Sequence, residues 1–388
     1  MCMKRYCKDV DILDFEFLQF CAAECLRKKW KRRDVLEYFS GLTGRSKEEI
    51  LYAIKNGEKP GLVIVAAHHM QKQLKARELN FVPIWYKEKI DSSNHKLRRI
   101  GIQHVSQQLY DYVAVWAMKD MLKRIGEYQC ASIPGRGPNY GMKHVRKWLK
   151  EKDVKYVAQL DVKKCFPSIP QDKLLAYVDK YVANDDVKWL VHRLVSTFDT
   201  GLSIGSYLSQ YLCNLYMSQL YHEISERMFY TRRDKQISYV KHVLFYMDDI
   251  LLIGCNAKAM HKAVDAIIAY ASGEMGLTIK PTWNVRKVSD TDFVDTMGFR
   301  VYGDHVTIRR RVFLRVRRAY KKPTKKRYRK MTEKQAQKCV SYFGCIKGTN
   351  LIRFAKKYHV FRTIKQAKGV VAHESKLRCR AARCPICA

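Results

Sequence analysis

The sequence predicts an α+β protein, because helical and strand-like segments are mixed without a regular βαβ alternation. Apolar residues recur at helical spacing in residues 11–57 and again in 208–220, the second with the stripe of a buried helix. Two short apolar segments, 156–162 and 243–254, have the length and composition of buried strands. No internal repeat is visible.

The N-terminal half combines helices with one pair of strands. Gly44 interrupts the apolar periodicity within 11–57, so this segment predicts more than one helix. Residues 81–102 are strand-like, and 108–125 returns to helical spacing. Glycine and proline residues predict a loop at 132–141.

The C-terminal half begins with the strand at 156–162. A glycine-bearing loop at 200–206 precedes the buried helix, and 243–254 predicts a hairpin folded around YMDD. Residues 309–330 contain thirteen Lys and Arg and no acid, with Val316 and Tyr320 among the interleaved apolar residues. This mixture predicts an element with one packed face and one face against phosphates, rather than a solvated tail. A further helical stretch over 332–358 follows.

Length and charge bound the function. The chain has 388 residues, enough for two or three packed subdomains. Hydrophobic residues at 47% and charged residues at 29% exclude a disordered chain or a collagen-like fibre. Lys and Arg number 74 against 37 Asp and Glu, a formal net charge of +37. A long polyanion would neutralise that charge, so nucleic acid is the first partner class and an anionic membrane surface the second.

Neither a membrane span nor an export signal is predicted. No apolar run approaches the ~18 residues that a spanning helix needs. The first residues, MCMKRYCKDVDILDF, have acids where a secretory signal needs an apolar stretch. We therefore expect a cytoplasmic protein with no membrane partner, in which most of the 13 cysteines are reduced core residues.

The C-terminal tail, HESKLRCRAARCPICA, is the exception among the cysteines. Its candidate metal ligands are His373, Cys379, Cys384 and Cys387, the last two with CxxC spacing. A small Zn²⁺ knuckle is one interpretation of this set. The other is a basic tail without the partner cysteines that a zinc site needs, because a lone CxxC is a short and unspecific motif.

Three aspartates lie where the predicted structure brings them together. Asp161 ends the strand at 156–162, and Asp248 and Asp249 occupy the tip of the hairpin FYMDDILLIG. Adjacent aspartates often serve only as turn formers, but beside a carboxylate-ended strand they would repel strongly unless a cation compensates them. Two Mg²⁺ ions about 4 Å apart would do so, and would also activate a hydroxyl and stabilise a leaving phosphate. Carboxylate oxygens suit Mg²⁺, with Mn²⁺ as the alternative ion.

Between residues 96 and 299 the chain resembles reverse transcriptases in six motifs that follow the family's order. They are KLRRI at 96–100, SIPGRG at 132–137, DVKKCF at 161–166, YMDD at 246–249, GLTIK at 276–280 and VDTMGF at 294–299. Arg99 departs from the pattern, since a proline is common there. Six motifs in order are a specific signal, which YMDD alone would not be.

The resemblance implies a role for each matched residue. The metal ligands would be Asp161, Val162, Asp248 and Asp249. The catalytic residues would be Asp161, Asp248, Asp249 and Lys280. The nucleotide-binding residues would be Lys96, Arg98, Arg136, Phe166, Ile204, Gly205 and Gln210. Among them, Lys96 and Arg98 belong to the segment that holds the incoming triphosphate, and Phe166 would gate the sugar 2′ position.

The loop before the buried helix departs from the common family pattern, which reads Gln-Gly and ends Ser-Pro. Here Ile204-Gly205 is followed by Ser209-Gln210. This pattern is similar to the reverse transcriptases of diversity-generating retroelements, and some defence-associated bacterial relatives look alike. Because Ile204 replaces an amide that hydrogen-bonds near the incoming nucleotide, lower fidelity is a hypothesis.

The fold implied by the resemblance is a right-hand polymerase with an N-terminal helical extension. The predicted boundaries are 1–59 for the extension, 60–150 for the fingers, 151–300 for the palm with the catalytic carboxylates, 301–372 for the basic helical thumb and 373–388 for the Cys-containing tail. Too little chain follows the thumb for a ribonuclease H or endonuclease domain, so we expect RNA removal or DNA cleavage to come from elsewhere.

The predicted function is an RNA-directed DNA polymerase that extends a primer 3′-OH with dNTPs on an RNA template, giving cDNA, within a diversity-generating retroelement. One alternative is an antiphage-defence enzyme that makes cDNA from an associated non-coding RNA or by untemplated or self-primed synthesis. The other is a non-catalytic RNA-binding scaffold, against which the intact carboxylate cluster argues. The chain's protein partner would be an accessory protein or a second copy of the same chain.

Overall fold

The structure is a computed structural model that describes residues 4–90, 97–289, 291–321, 323 and 331–381, with the side chains of the last helix described to 373. Helices and short strands are mixed irregularly through this part of the chain, which confirms the predicted α+β class. No helix in these described ranges combines the length and apolar character needed to cross a bilayer.

The helices divide into an N-terminal group, a central group and a C-terminal group. They are α1 (Phe15–Leu26), α2 (Arg33–Thr43), α3 (Lys47–Lys55), α4 (Lys59–Ala76), α5 (Val105–Ala117), α6 (Pro138–Trp148), α7 (Cys165–Ser168), α8 (Gln171–Tyr181), α9 (Asp185–Val195), α10 (Tyr207–Glu226), α11 (Ala257–Gly273), α12 (Arg310–Lys321), α13 (Glu333–Ile346), α14 (Ile352–Lys357) and α15 (Val360–Ala381). A 3₁₀ turn covers Met121–Arg124.

The strands of the described ranges are short and form four sheets. They are β1 (Trp85–Ile90), β2 (Leu97–Ile102), β3 (Gln129–Cys130), β4 (Tyr156–Asp161), β5 (Phe229–Arg232), β6 (Lys235–Ser238), β7 (His242–Tyr246), β8 (Asp249–Gly254), β9 (Val285–Lys287), β10 (Val294–Thr296), β11 (Phe299–Val301) and β12 (Val306–Ile308). β1–β2 and β5–β6 are antiparallel pairs, and β10-β11-β12 is a three-stranded antiparallel sheet. The fourth sheet has five strands in the order β3-β7-β8-β4-β9, with β3 parallel to β7.

The chain divides into two compact units. The first comprises Met1–Pro134, Ala158–Leu252 and Asn256–Val285, and the second comprises Gly135–Val157, Ile253–Cys255 and Arg286–Ala388. The N-terminal helices belong to the first unit. The predicted boundaries of extension, fingers, palm and thumb stay predictions.

Within the first unit, the helix predicted over 108–125 is shorter than expected. α5 ends at Ala117, and the chain continues as the 3₁₀ turn. The Leu122 amide is shared between the carbonyl oxygens of Met118 (3.3 Å) and Lys119 (3.2 Å), a bifurcation typical of a tightening helix end. The turn buries Met121 in the core while Lys119 and Asp120 stay exposed, so the apolar spacing continues without a continuous α-helix.

The five-stranded sheet packs against α10, a helix with buried residues on most of its sides. β7 and β8 form the predicted hairpin, joined by only Met247 and Asp248, and their central residues are buried. β4 is the neighbour of β8 in this sheet. The Lys155 amide donates to the Gly254 carbonyl oxygen at 3.0 Å, so β4 and β8 run antiparallel and the carboxyl end of β4 lies beside the tip of the hairpin.

The second unit contains the three-stranded sheet, against which α6 packs, and the C-terminal helices, where α13 packs on both α12 and α15. The single helical stretch predicted over 332–358 is interrupted, because α13 ends at Ile346 and α14 begins at Ile352. Gly348 in this break has φ +83°, a left-handed conformation that glycine adopts at little cost and that ends a helix.

Candidate active site

Two of the predicted metal-binding aspartates, Asp161 and Asp248, lie on neighbouring segments of the five-stranded sheet that are joined by a backbone hydrogen bond. Asp161 is the last residue of β4, and Asp248 lies in the turn between β7 and β8. The Val162 amide donates to the Asp248 carbonyl oxygen at 3.2 Å, which fixes the two segments next to each other. Asp249 begins β8 and is exposed.

The hairpin tip is held in an uncommon backbone conformation. Met247 has φ +56°, the left-handed region that non-glycine residues seldom adopt. Its amide donates to the Cys130 carbonyl oxygen at 3.4 Å, and the Phe245 amide donates to the Tyr128 carbonyl oxygen at 3.0 Å. These bonds from the β3 side compensate the strain of the turn, a form of backbone strain that clusters at functional sites.

Lys280 is positioned by a short backbone bridge to the same edge. The Lys280 amide donates to the Asp161 carbonyl oxygen at 2.9 Å, and the Lys163 amide donates to the Thr278 carbonyl oxygen at 2.8 Å. The Lys280 ammonium forms an ion pair with the Asp161 carboxylate. The predicted catalytic lysine and the first predicted metal ligand are therefore direct partners.

The electrostatics of the site favour a cation near Asp248. Burial raises the pKa of this carboxyl, and the neighbouring charge of Asp161 raises it further, while Lys280 and Arg98 act in the opposite direction. Burial also raises the pKa of the Tyr246 hydroxyl beside it, with smaller contributions from Cys130 and Asp249. A carboxylate that is costly to ionise next to a second carboxylate is a site where bound positive charge is stabilised.

The donor set fits Mg²⁺ better than a thiophilic ion. The groups at the edge are carboxylates, whereas the nearby thiols of Cys165 and Cys213 are buried with their sulfur atoms 3.8 Å apart. The hydrogen bond to Cys213 and burial raise the pKa of Cys165 well above its ordinary value, which keeps this thiol protonated and unsuited to metal binding. Within the described residues no three His, Cys, Asp or Glu side chains are grouped as a metal site, so the two-ion arrangement stays a prediction.

Phe166 and Ile204, both predicted to contact the nucleotide, are connected through the loop at residues 201–206, here called the 201–206 loop. The Leu202 amide donates to the Phe166 carbonyl oxygen at 2.8 Å. At the other end of the loop, the Gly101 amide donates to the Ile204 carbonyl oxygen at 2.7 Å. The loop thus touches both the segment that follows Asp161 and strand β2.

Two glycines allow these close contacts. Gly201 has φ +48°, and a Cβ there would lie 2.5 Å from the Phe166 carbonyl oxygen. Gly205 has φ +118°, and its Cβ would lie 2.4 Å from the Gly101 carbonyl oxygen. Any side chain at either position would force the backbones apart.

Other predicted site residues have separate positions. Arg98 is exposed on β2 and contributes to the field at Asp248. Gln210 is half-buried in the first turn of α10. Arg136 is half-buried in the loop before α6 and belongs to the second unit. Lys96 lies outside the described residues.

The zinc hypothesis receives no support from the described residues. His373 is exposed on α15. The side chains of Cys379, Cys384 and Cys387 lie outside the described part of the chain. A zinc site in the tail stays a hypothesis.

Two residues beside the 201–206 loop, Gly101 and Asp111, are not among the predicted site residues. Asp111 is fully buried in α5, whose other buried residues are mostly apolar. The sequence did contain a signal for Asp111, an acidic residue within the apolar stripe of a helix. Such a carboxylate is seldom buried without partners, so its position indicates polar contacts to another segment. Gly101 carried no such signal, because its contacts come from a distant segment.

A comparison with protein families identifies the chain. The family model described as reverse transcriptase (RNA-dependent DNA polymerase) matches residues 87–297, more than half of the sequence. The chain belongs to this family. This reverse transcriptase is therefore an RNA-directed DNA polymerase, a nucleotidyltransferase of a family that generally uses divalent metal ions, with RNA as template and dNTPs as substrates.

Solved structures with a similar chain trace include telomerases of Candida species. Apo telomerase from Candida tropicalis is 11% identical over 93% of this chain and 75% of that chain, with a TM-score of 0.48. Telomerase from Candida tropicalis in complex with a TWJ fragment of telomeric RNA is 11% identical over 94% of this chain and 70% of that chain, with a TM-score of 0.46. Telomerase from Candida albicans in complex with a TWJ fragment of telomeric RNA is 10% identical over 78% of this chain and 55% of that chain, with a TM-score of 0.43. The comparison with curated proteins found no significant match.

Proposed function

We propose that this reverse transcriptase extends a primer 3′-OH with dNTPs on an RNA template, with Asp161, Val162, Asp248 and Asp249 as the ligands of two Mg²⁺ ions. The observation that carries the proposal is the meeting of Asp161 and Asp248 at adjacent strand ends, beside the Lys280 ammonium. When bound, the ions would activate the attacking hydroxyl and stabilise the leaving pyrophosphate.

The chain's own residues would orient the nucleotide and balance its charge. Lys280 pairs with Asp161 and supplies positive charge beside both carboxylates. Arg98 would bind the triphosphate, for which its guanidinium offers several hydrogen-bond donors in one plane. Phe166 would exclude a ribose 2′-OH by occupying the space beside the sugar. Positioning and electrostatic stabilisation of this kind are the main contributions of a protein to phosphoryl transfer.

Primer extension on a defined RNA template is the direct test. We expect the purified chain to add dNTPs to an annealed DNA primer in the presence of Mg²⁺, and to stop when EDTA removes the ion. A matched reaction with Mn²⁺ tests the alternative ion. Stable binding of the primer–template without any extension under either ion would contradict the polymerase proposal and favour the non-catalytic scaffold.

The helix α12 is the proposed contact to the nucleic-acid backbone. Val316 and Tyr320 are buried, and the Tyr320 hydroxyl donates to the Cys339 carbonyl oxygen at 2.8 Å. The opposite side of the helix is exposed and carries Arg310, Arg311, Arg317, Arg318 and Lys321. The helix is therefore packed on one side and cationic on the other, as the sequence predicts for the part of 309–330 within the described residues. Such a face suits a row of phosphates.

Neutralising part of this face should weaken RNA binding and reduce its salt dependence. We expect the Arg310→Gln/Arg318→Gln variant to lower the slope of log K against log salt by roughly 0.7–0.9 for each phosphate that the helix no longer neutralises. Arg317 is left unchanged because it hydrogen-bonds to the Tyr358 hydroxyl, whose pKa it lowers. The measurement is a salt titration of binding to a fixed RNA.

The matched control is Lys258→Gln/Lys262→Gln, which removes the same charge from the exposed side of α11. A general field effect would change both variants alike, because both lose two exposed positive charges. That effect should be small, since charges more than about 8 Å apart are largely screened at physiological salt. Parallel lines for the α12 variant and the wild type would reject direct contact by this helix.

For the biological role we propose a diversity-generating retroelement, supported by the pattern Ile204-Gly205 followed by Ser209-Gln210. The experiment is to purify the protein from its native host and to sequence the RNA and DNA that come with it. cDNA copied from a repeat with a matching variable repeat nearby supports diversification. A dedicated non-coding RNA with its cDNA, or DNA without a template, would instead support the defence alternative. The same purification reveals an accessory protein or a homo-oligomer by mass.

A further inference from the structure

The 201–206 loop is a physical link between two parts of the proposed nucleotide site. One end is bonded to the Phe166 carbonyl oxygen through the Leu202 amide at 2.8 Å. The other is bonded to β2 through the Gly101 amide and the Ile204 carbonyl oxygen at 2.7 Å. β2 also carries Arg98. A displacement of this loop would therefore move the proposed sugar gate and the strand of the proposed triphosphate residue together.

Asp111 fixes the end of this loop from inside the first unit. The carboxylate is fully buried and accepts hydrogen bonds from the Ser206 hydroxyl at 2.8 Å, the Leu208 amide at 3.4 Å and the Gln103 side-chain amide at 3.5 Å. Ser206 is also the N-cap of α10, where its hydroxyl oxygen accepts from the Ser209 amide at 3.1 Å. One carboxylate therefore ties α5, the loop and the start of α10 together.

The carboxylate is held there against the cost of burial. Burial raises the pKa of Asp111 to about 6, although the bonds from Ser206, Leu208 and Gln103 and the charge of Lys29 lower it. An apolar side chain would avoid this penalty, but it would leave the Ser206 hydroxyl, the Leu208 amide and the Gln103 amide without their acceptor. An acceptor that receives three donors in fixed directions gives a geometric reason for a carboxylate here.

We propose that Asp111 is a positioning residue for nucleotide selection, which holds the 201–206 loop so that Phe166 and β2 keep the spacing that a dNTP requires. The inference rests on the proposed function, in which Phe166 lies beside the sugar and Arg98 contacts the triphosphate. Asp111 touches no substrate. It acts through Ser206 and the loop.

The test compares two substitutions of Asp111. Asp111→Ala removes all acceptors, so we expect the KM for dNTPs to rise by about tenfold to a hundredfold with a smaller change in kcat. The ratio of rNTP to dNTP incorporation should rise as well, because Phe166 loses its fixed position. Asp111→Asn should restore both quantities towards wild type. Its amide oxygen still accepts from Ser206 and Leu208. Its NH₂ group would replace the oxygen that faces the Gln103 NH₂ group, so the Gln103 amide must turn over and present its Oε1, which is buried without a hydrogen-bond partner in the described structure.

The matched control is Gln107→Ala, which removes a buried polar side chain from the same helix. Gln107 donates to the Thr197 hydroxyl at 2.7 Å and has no described bond to the loop. Equal changes in KM and sugar ratio for Asp111→Ala and Gln107→Ala would overturn the proposal, because they would show general destabilisation of α5. Where Asp111→Ala does not fold, Ser206→Ala removes the same link from the loop side and takes its place.

Amide hydrogen exchange separates this inference from the polymerase proposal. The Gly101 amide donates to Ile204 in the loop, and the Leu202 amide of the loop donates to Phe166. We expect Asp111→Ala to speed hydrogen exchange at both amides, whether or not the protein is active. Unchanged protection at both amides would overturn the proposal directly. An altered sugar ratio in Phe166→Ala with none in Asp111→Ala would refute the positioning role and leave the proposed function intact. Faster exchange in Asp111→Ala with no effect of Phe166→Ala would instead refute the assignment of the gate.

Discussion

Asp248→Asn and Asp161→Asn are each expected to lower dNTP incorporation by at least about 10³-fold while RNA binding and folding are retained. Asparagine keeps the shape of aspartate but removes the charge that would hold metal ions. At Asp161 the substitution also leaves the Lys280 ammonium without its carboxylate partner. The loss would appear in kcat, because the missing interaction stabilises the transition state rather than bound RNA.

The Asp248→Asn substitution should not lower the stability of the fold, because the buried Asp248 carboxyl is costly to ionise. Burial raises the folded-state pKa of this carboxyl above its unfolded value. Stability is therefore lost as the pH rises from the unfolded pKa through the folded one, where the buried group ionises. The asparagine side chain of the Asp248→Asn variant cannot ionise, so we expect its melting temperature at neutral pH to equal or exceed that of the wild type.

The control for these variants is Asp265→Asn, which neutralises an exposed aspartate on α11. It should extend primers at the wild-type rate. Extension by Asp248→Asn at a near wild-type rate would refute the assignment of the metal ligands. If Asp248→Asn lost both activity and melting temperature, the variant would have a folding defect. The activity of Asp161→Asn would then test the assignment of the metal ligands.

Phe166→Val is expected to raise the ratio of rNTP to dNTP incorporation by about tenfold to a hundredfold. The ring is half-buried in α7, directly after the strand that ends in Asp161. Removing most of the ring would open the space that a ribose 2′-OH needs. Incorporation of dNTPs should fall less than incorporation of rNTPs rises, because the Phe166 carbonyl oxygen still accepts from Leu202.

The competing interpretation of Phe166 is an ordinary core phenylalanine, whose full truncation costs roughly 3–5 kcal/mol. In that case all activity would fall with stability, and the sugar ratio would not change. Phe39→Leu serves as the control, because Phe39 is fully buried in α2 and is expected to show only the loss of stability. An unchanged ratio in Phe166→Val together with a lower melting temperature would reject the gate.

The sequence by itself determined the elements that carry the site. The strand ending in Asp161 and the YMDD hairpin follow from apolar runs bounded by turn residues, which are local properties of the chain. The α+β class and the family also follow from sequence, the latter because six motifs stand in the family's order between residues 96 and 299. The amphipathic character of α12 is equally legible, since charge and apolar residues alternate at helical spacing.

Local pattern was less informative about where helices end. The segment 108–125 keeps its apolar spacing past Ala117, so periodicity alone did not reveal the 3₁₀ turn. Gly348 interrupts α13 and α14 within a stretch that otherwise reads as one helix. Helix boundaries depend on capping and packing as well as on periodicity.

Only the tertiary structure decided which residues became partners. Asp161 and Lys280 are 119 positions apart, and Asp111 and Ser206 are 95 apart, so no local spacing encodes either contact. The structure also gave Asp248 and Asp249 different environments, half-buried in the turn and exposed at the start of β8. Periodicity specifies which face of an element is buried, but the identity of the facing group depends on how distant segments pack. The electrostatics of the site and the anchoring of the 201–206 loop therefore emerge only when the whole first unit is assembled.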